Sequence, residues 1–198
     1  MIYVDDIIVV GDNFTEVNFV IGDINDEFSL NDFGQLSFFL GMKVLQFSIG
    51  MLLSQKKYIV DLLTRTNMLG STPTPILMVV THKLKANDGQ PFSYIQLYRS
   101  TVGGLQYVTL TRLDILYVVN KVSQYINHPH DTHWRAVKRI LRYLNRTVDH
   151  GIVFSSSSPL NLVCYVDADW ASSVEDRRST SCYCIYLRNN TIAWCSKK

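Results

Sequence analysis

Met1-Ile2-Tyr3-Val4-Asp5-Asp6-Ile7-Ile8-Val9-Val10-Gly11 is an apolar, largely β-branched run interrupted by two adjacent carboxylates. Asp is disfavoured in strands, so Asp5-Asp6 divides the run into two short strands with the acids at the bend between them. Neighbouring carboxylates repel each other, and a divalent cation relieves that repulsion. Their hard oxygen donors suit Mg²⁺ or Mn²⁺. Two-metal phosphoryl-transfer sites use carboxylates in this manner, holding ions that clamp the attacking and leaving oxygens. An Asp-Asp turn with no role beyond turn chemistry accounts for the same residues.

Downstream of this stretch, hydrophobic periodicity organises the chain. Val17, Val20, Ile21, Ile24 and Phe28 recur at helical spacing and predict a core-facing helix, closed by Asn31-Asp32-Phe33-Gly34. Leu36 to Phe47 reads as one strand, Ser48-Ile49-Gly50 as a turn, and Met51 to Ser54 as the returning strand. Gln55 to Met68 predicts a helix with Ile59, Leu62, Leu63 and Met68 inward. Gly70-Ser71-Thr72-Pro73-Thr74-Pro75 then breaks the pattern, and an irregular connector, polar around Lys83 to Pro91, runs to about Ser93.

Three helices follow. Ser93 to Leu110 carries Gly103-Gly104, which permits close packing. Asp114 to Ile126 places Ile115, Leu116, Val118, Val119, Val122 and Ile126 on one side. A third helix, capped by Asp131 or Thr132, ends near Leu144 with Trp134, Val137, Ile140, Leu141 and Leu144 as its apolar face. Arg135, Lys138, Arg139 and Arg142 fall at i, i+3, i+4 and i+7, a stripe on its other side. Such a stripe fits a solvated face, and it equally fits sequence-independent contact with nucleic-acid phosphates. His128, His130 and His133 read as a polar loop and helix start rather than a metal set. Ser155 to Ser158 reads as a short loop. Leu162 to Val166, Thr180 to Leu187 and Thr191 to Cys195 read as strands, with Asn189-Asn190 as a turn.

Composition narrows the class. The 198 residues are 47% hydrophobic and 18% charged, an ordinary globular balance. No apolar run is long enough to span a bilayer, and no signal peptide is evident. Cys164, Cys182, Cys184 and Cys195 fit no zinc spacing and read as reduced thiols. Net charge is +2 but unevenly spread. Residues 1–50 hold one Lys and eight Asp/Glu; the remainder holds 18 Lys/Arg and nine Asp/Glu. An acidic segment able to hold cations, followed by a basic one, suits an enzyme that manages metal ions and phosphates in separate places.

The opening stretch resembles the catalytic hairpin of reverse transcriptases. Six further phrases resemble the Ty1/copia class of LTR-retrotransposon polyproteins, in that family's order. They are Phe38-Phe39-Leu40-Gly41-Met42-Lys43-Val44, Leu53-Ser54-Gln55-Lys56-Lys57-Tyr58, the run from Leu97 to Tyr107, the run from Thr132 to Leu144, Asp167-Ala168-Asp169-Trp170-Ala171, and Asp176-Arg177-Arg178-Ser179-Thr180-Ser181. The resemblance implies an α+β chain in three parts. Residues 1–75 would be the C-terminal part of a reverse-transcriptase palm. Residues 76–150 would be a helical thumb and connection. Residues 151–198 would be the N-terminal antiparallel strands of a truncated ribonuclease H-like domain.

It also implies roles. Asp5 and Asp6 would be catalytic and hold Mg²⁺ or Mn²⁺, Asp167 would be the first metal carboxylate of the ribonuclease H site, and Asp169 a surface neighbour. Tyr3, Leu40, Gly41, Arg135, Lys138, Arg139 and Arg142 would touch nucleic acid. The partners would be an RNA or DNA template–primer and deoxynucleotides, with no membrane. The place would be intracellular: the family's cytoplasmic virus-like particle, or an organelle. A third palm carboxylate, the fingers and half of the palm would precede Met1, so the chain is expected to synthesise little or no DNA alone. Arg146, Ser172, Cys182 and Arg188 stand where the family has small residues or glycine, as in a decaying copy. Wherever such a position needs positive φ, a side chain costs about 1 kcal/mol. The competing expectation is a non-catalytic nucleic-acid-binding remnant, or a protein with a host or organellar role.

Overall fold

The computed structural model describes residues 2–3, 6–28, 30–78, 84–156, 160–171, 173 and 176–198, with the backbone alone for residues 2, 3 and 6. The expectations for Asp5, Lys83, Ser172 and the loop at residues 157–158 lie outside the described residues.

The architecture is α+β. Strand β1 (Ile2–Tyr3) pairs antiparallel with β2 (Asp6–Ile7). A second sheet, in the order β3-β4-β5-β6, comprises Phe38–Phe39, Met42–Phe47, Gly50–Ser54 and Ile152–Ser155. A third is the meander β7-β8-β9: Leu162–Asp169, Thr180–Leu187 and Asn190–Lys197.

The core belongs to the helices. Lys56–Arg65 (α2), Ile95–Val108 (α3), Leu116–Ser123 (α4) and Asp131–Arg146 (α5) enclose one apolar cluster. Its centre is Ile59, Leu62 and Leu63 of α2, Tyr98, Val102, Leu105 and Val108 of α3, Val118, Val119 and Val122 of α4, and Val137, Ile140, Leu141 and Leu144 of α5. These are the faces that the 3.6-residue period marks out, and each large buried side chain contributes about 1.5–3 kcal/mol. Of the Gly103-Gly104 pair only Gly104 packs closely: a Cβ there would meet Leu62 Cδ1 at 3.0 Å and the Tyr58 hydroxyl at 3.2 Å, whereas one on Gly103 would meet nothing within 4 Å.

Several expectations are corrected. The helix Phe14–Phe28 (α1) forms, started by Asn13, whose Oδ1 accepts the Thr15 N–H at 3.0 Å. None of its residues is buried, however, and Phe14 and Phe19 are 76% and 69% exposed. Periodicity shows that a helix has an apolar face; it does not show what covers it. Leu36 to Phe47 is not one strand, because a two-residue turn at Leu40-Gly41 separates β3 from β4. The helix expected over Asp114 to Ile126 begins with a 3-10 turn, Leu113–Ile115, and ends at Ser123. The cap of α5 is His130 rather than Asp131 or Thr132; its N–H donates to His133 Nδ1 at 2.9 Å. The last hairpin turns at Arg188-Asn189, since Leu187 pairs with Asn190. Strand β6, which no periodic run announced, carries the chain from α5 back to β5.

The connector is anchored to the helices more firmly than its polarity suggests. Asn145 Nδ2 donates to the carbonyls of Leu69 and Ser71 at 3.1 and 3.0 Å. Asp131 N–H donates to the Gln90 carbonyl and Phe92 N–H to the Pro129 carbonyl, both at 2.9 Å. His133, fully buried, stacks on Tyr125 with 3.9 Å between ring centroids, and its Nε2 lies 2.8 Å from the Lys85 carbonyl. Because Nδ1 accepts, Nε2 carries the proton and donates. The histidines are thus loop and helix-start residues, as expected.

Candidate nucleic-acid interface

The acidic stretch forms the antiparallel pair expected of it, with Ile2 opposite Ile7 and Tyr3 opposite Asp6. Asp6 therefore opens the second strand. Asp5 lies outside the described residues, as do the side chains of Tyr3 and Asp6.

The Leu40-Gly41 turn between β3 and β4 has a constrained backbone. Both residues are left-handed, with φ of +48° and +73°. Two consecutive left-handed residues match the twist of the flanking strands. The conformation is ordinary for Gly41 and strained for Leu40, by roughly 1–3 kcal/mol. A tertiary contact holds it: the Tyr107 hydroxyl of α3 donates to the Leu40 carbonyl, and a Cβ on Gly41 would collide with that same hydroxyl. Tyr107 is itself fixed. Its ring meets Tyr58 edge-on at 4.6 Å, and its carbonyl accepts Gln55 Nε2 at 3.2 Å. Gln55 is 1% exposed, and its Oε1 accepts the Thr111 hydroxyl at 2.7 Å. The family resemblance singled out Leu40 and Gly41, but the sequence revealed neither the turn they form nor its anchor, because nothing local links positions 40 and 107.

The basic stripe lies on α5 as expected, and two of its members do more than face solvent. Arg139 Nε donates to the Ile76 carbonyl at 3.0 Å and Arg142 Nε to the Thr72 carbonyl at 2.6 Å. Both guanidinium groups are thereby oriented by the connector. Arg135 is exposed and Lys138 half-buried.

Asp167 lies within β7, opposite Cys182, and is exposed; its Oδ1 accepts the Ala168 N–H at 2.9 Å. Asp169, also exposed, sits at the strand's end. Burial raises the Tyr117 phenol above its ordinary value, and the neighbouring Asp169 carboxylate adds to the shift. Among the described residues, no three His, Cys, Asp or Glu side chains gather as a metal-holding group.

A charged network also escaped the sequence reading. Arg112 is 2% exposed and forms a bidentate pair with Asp114, Nε to Oδ1 at 3.0 Å and Nη2 to Oδ2 at 2.7 Å. Its Nη1 and Nη2 also donate to the Thr147 carbonyl and hydroxyl, at 2.8 and 2.6 Å. The Tyr143 hydroxyl donates to Asp114 Oδ2 at 2.8 Å. Burial alone would raise the Asp114 carboxyl, but the bonds from Arg112 and Tyr143, with the Arg112 charge, outweigh it and hold the carboxyl below its usual range. The available signal was the Arg-x-Asp spacing in Thr111-Arg112-Leu113-Asp114.

Comparison with known proteins bears on this geometry. The sequence profile described as "Reverse transcriptase (RNA-dependent DNA polymerase)" matches residues 1–80. The retrovirus-related Pol polyprotein from transposon RE2 of Arabidopsis thaliana is 41% identical over 198 residues, which cover all of this chain and 14% of that protein. The Pol polyprotein from transposon TNT 1-94 of Nicotiana tabacum is 35% identical over 212 residues, covering all of this chain and 15% of its own length. The uncharacterized mitochondrial protein AtMg00810 of Arabidopsis thaliana is 38% identical over 203 residues, covering all of this chain and 82% of that protein. No solved structure matches. The chain thus spans a small part of the polyproteins it is similar to, and it belongs to the reverse-transcriptase region of the Ty1/copia-type retrotransposon Pol polyproteins.

Proposed function

We propose that this chain grips a template–primer duplex and supplies two metal-holding carboxylates to RNA-directed DNA synthesis. Asp5 and Asp6 would hold Mg²⁺ or Mn²⁺; their donor chemistry fits, since adjacent carboxylates offer only hard oxygens. The ions would align the primer hydroxyl with the α-phosphate of a deoxynucleotide. Tyr3 would support the nucleic acid beside the acids, Leu40-Gly41 would face the primer end, and Arg135, Lys138, Arg139 and Arg142 would meet phosphates. Strands β7 to β9 would open a ribonuclease H-like unit in which Asp167 is the first metal carboxylate. The observation that carries the catalytic assignment is the antiparallel pairing of Tyr3 with Asp6, in a segment matching the reverse-transcriptase profile.

A second function, duplex binding without chemistry, is favoured by the two stripe arginines already oriented by backbone carbonyls. Fluorescence anisotropy with an RNA/DNA template–primer across a salt series separates the two. Binding should weaken linearly in log salt, and Arg135→Ala and Lys138→Ala should each lower the slope by about 1. Primer extension in Mg²⁺ or Mn²⁺ is the companion assay: robust extension would establish synthesis by the chain itself, and duplex binding without extension would favour the second function. Manganese titration completes the test: under the catalytic assignment, Asp5→Asn and Asp6→Asn lose ion binding and keep duplex binding. Wild-type protein that takes up no Mn²⁺ would leave duplex binding as the function.

A further inference from the structure

A tertiary hydrogen bond to the Leu40-Gly41 turn comes from a residue that none of the proposed roles uses. We propose that Tyr107 is a positioning residue, holding the primer-facing turn at a fixed place relative to the basic face of α5. This role rests on the duplex-binding function proposed above.

Three observations converge on it. The Tyr107 hydroxyl donates to the carbonyl of Leu40, a residue in a strained left-handed conformation at φ +48°. Gly41 passes so close to that hydroxyl that no side chain fits between them. The carbonyl of Tyr107 is held by Gln55 Nε2 at 3.2 Å, and Gln55 directly follows the strand end Ser54, which pairs with Lys43 just past the turn. The tip of the β3–β4 hairpin is therefore tied to α3 through the Tyr107 hydroxyl, and the adjoining open end of the β4–β5 hairpin through the Tyr107 carbonyl. α3 shares its apolar cluster with α5. A turn fixed in this way keeps its distance from the α5 stripe, which is what simultaneous contact with a primer end and with duplex phosphates requires.

Tyr107→Phe removes the hydroxyl and keeps the ring against Tyr58. Its melting temperature and anisotropy-measured duplex affinity should stay near wild type. Amide exchange at Leu40, Gly41 and Met42 should accelerate, by about fivefold for one lost hydrogen bond. Photocrosslinking from a 4-thiothymidine at the primer 3′ end to residues 38–43 should fall several-fold. Gly41→Ala, which disturbs the turn from the other side and leaves the helical core intact, should reproduce both effects. Unchanged exchange and unchanged crosslinking in Tyr107→Phe would overturn the positioning role while leaving the duplex-binding function standing. Wild-type protein that binds no template–primer, or crosslinks equally from primer end and duplex interior, would remove that function and this role with it.

Discussion

Two side chains show how far a single position departs from what its sequence neighbours suggest. Arg188 adopts φ +58° in the β8–β9 turn, where the family resemblance anticipated a small residue. The other described departures do not share that strain: Arg146 ends α5 and Cys182 lies inside β8, each where a side chain is tolerated. Arg188→Gly is therefore the substitution expected to stabilise, by about 1 kcal/mol, or roughly 2–4 °C in melting temperature for a chain of this size. Arg146→Gly should instead destabilise, because it puts glycine into a helix. Calorimetry of the pair decides the matter: equal shifts would show that backbone conformation is not what distinguishes these sites. Asp114 makes the corresponding electrostatic case. Its carboxyl is held below its ordinary value of 3.8, so the stability it contributes is present above that value and lost as pH falls through the lower folded-state value. Asp114→Asn should cost about 1–3 kcal/mol at neutral pH by stripping a buried guanidinium of its partner. It should also flatten the acid limb below about pH 4, relative to wild type. Parallel acid limbs in urea melts taken from pH 6 to 2 would contradict this.

The elements divide between those legible in sequence and those that were not, and packing explains the division. Helices α2 to α5 were readable because each buries the stripe that its 3.6-residue period marks, and Ile59, Leu62, Leu63, Val137, Ile140, Leu141 and Leu144 are all buried. The β7–β9 meander was readable because turns and β-branched runs alternate along it. Strand β6 was not, since four residues without strong alternation are defined only by pairing with β5 from a hundred positions away. The turn at Leu40-Gly41 was hidden because leucine is a poor turn residue, held there by Tyr107. The α5 stripe was legible as charge but not as anchorage, for which the accepting carbonyls on the connector must be known. Arg142 accordingly serves two ends. Arg142→Ala should lower the salt slope of duplex binding by about 1, as Lys138→Ala does. Unlike Lys138→Ala, it should also free the connector at Thr72, detected as faster proteolysis between Ser71 and Leu77. Indistinguishable digestion of the two variants would show that the Arg142 bond to Thr72 bears no load.

Cohesion across the molecule depends on a few polar bridges between units whose apolar faces are unequal. The helical core is dense, while β7 leaves Val166 and the adjoining Trp170 at 74% and 90% exposure. The meander joins the rest chiefly through β9, with Tyr117 of α4 reaching Asp169 of β7 and Lys121 of α4 reaching Thr180 of β8 at 3.5 and 3.4 Å. Trp194 Nε1 donates to the Thr109 carbonyl at 3.1 Å, and Asn120 Nδ2 donates to the Ser196 carbonyl. Asn190 completes the seam by imitating a peptide group: its Oδ1 accepts the Ser155 N–H at 2.7 Å and its Nδ2 donates to the Ser155 carbonyl at 2.9 Å. One side-chain amide thus continues the β3–β6 sheet into the meander. The polar bonds across this seam help set how tightly the two parts open and close together. Asn190→Ala removes both bonds and should cost about 1–2 kcal/mol, felt locally. Amide exchange should quicken in β6 and along β7 to β9 while α2 to α5 keep their wild-type protection. Uniform acceleration across helices and meander would mean that the chain opens as one cooperative unit, and would refute the seam as its weakest joint.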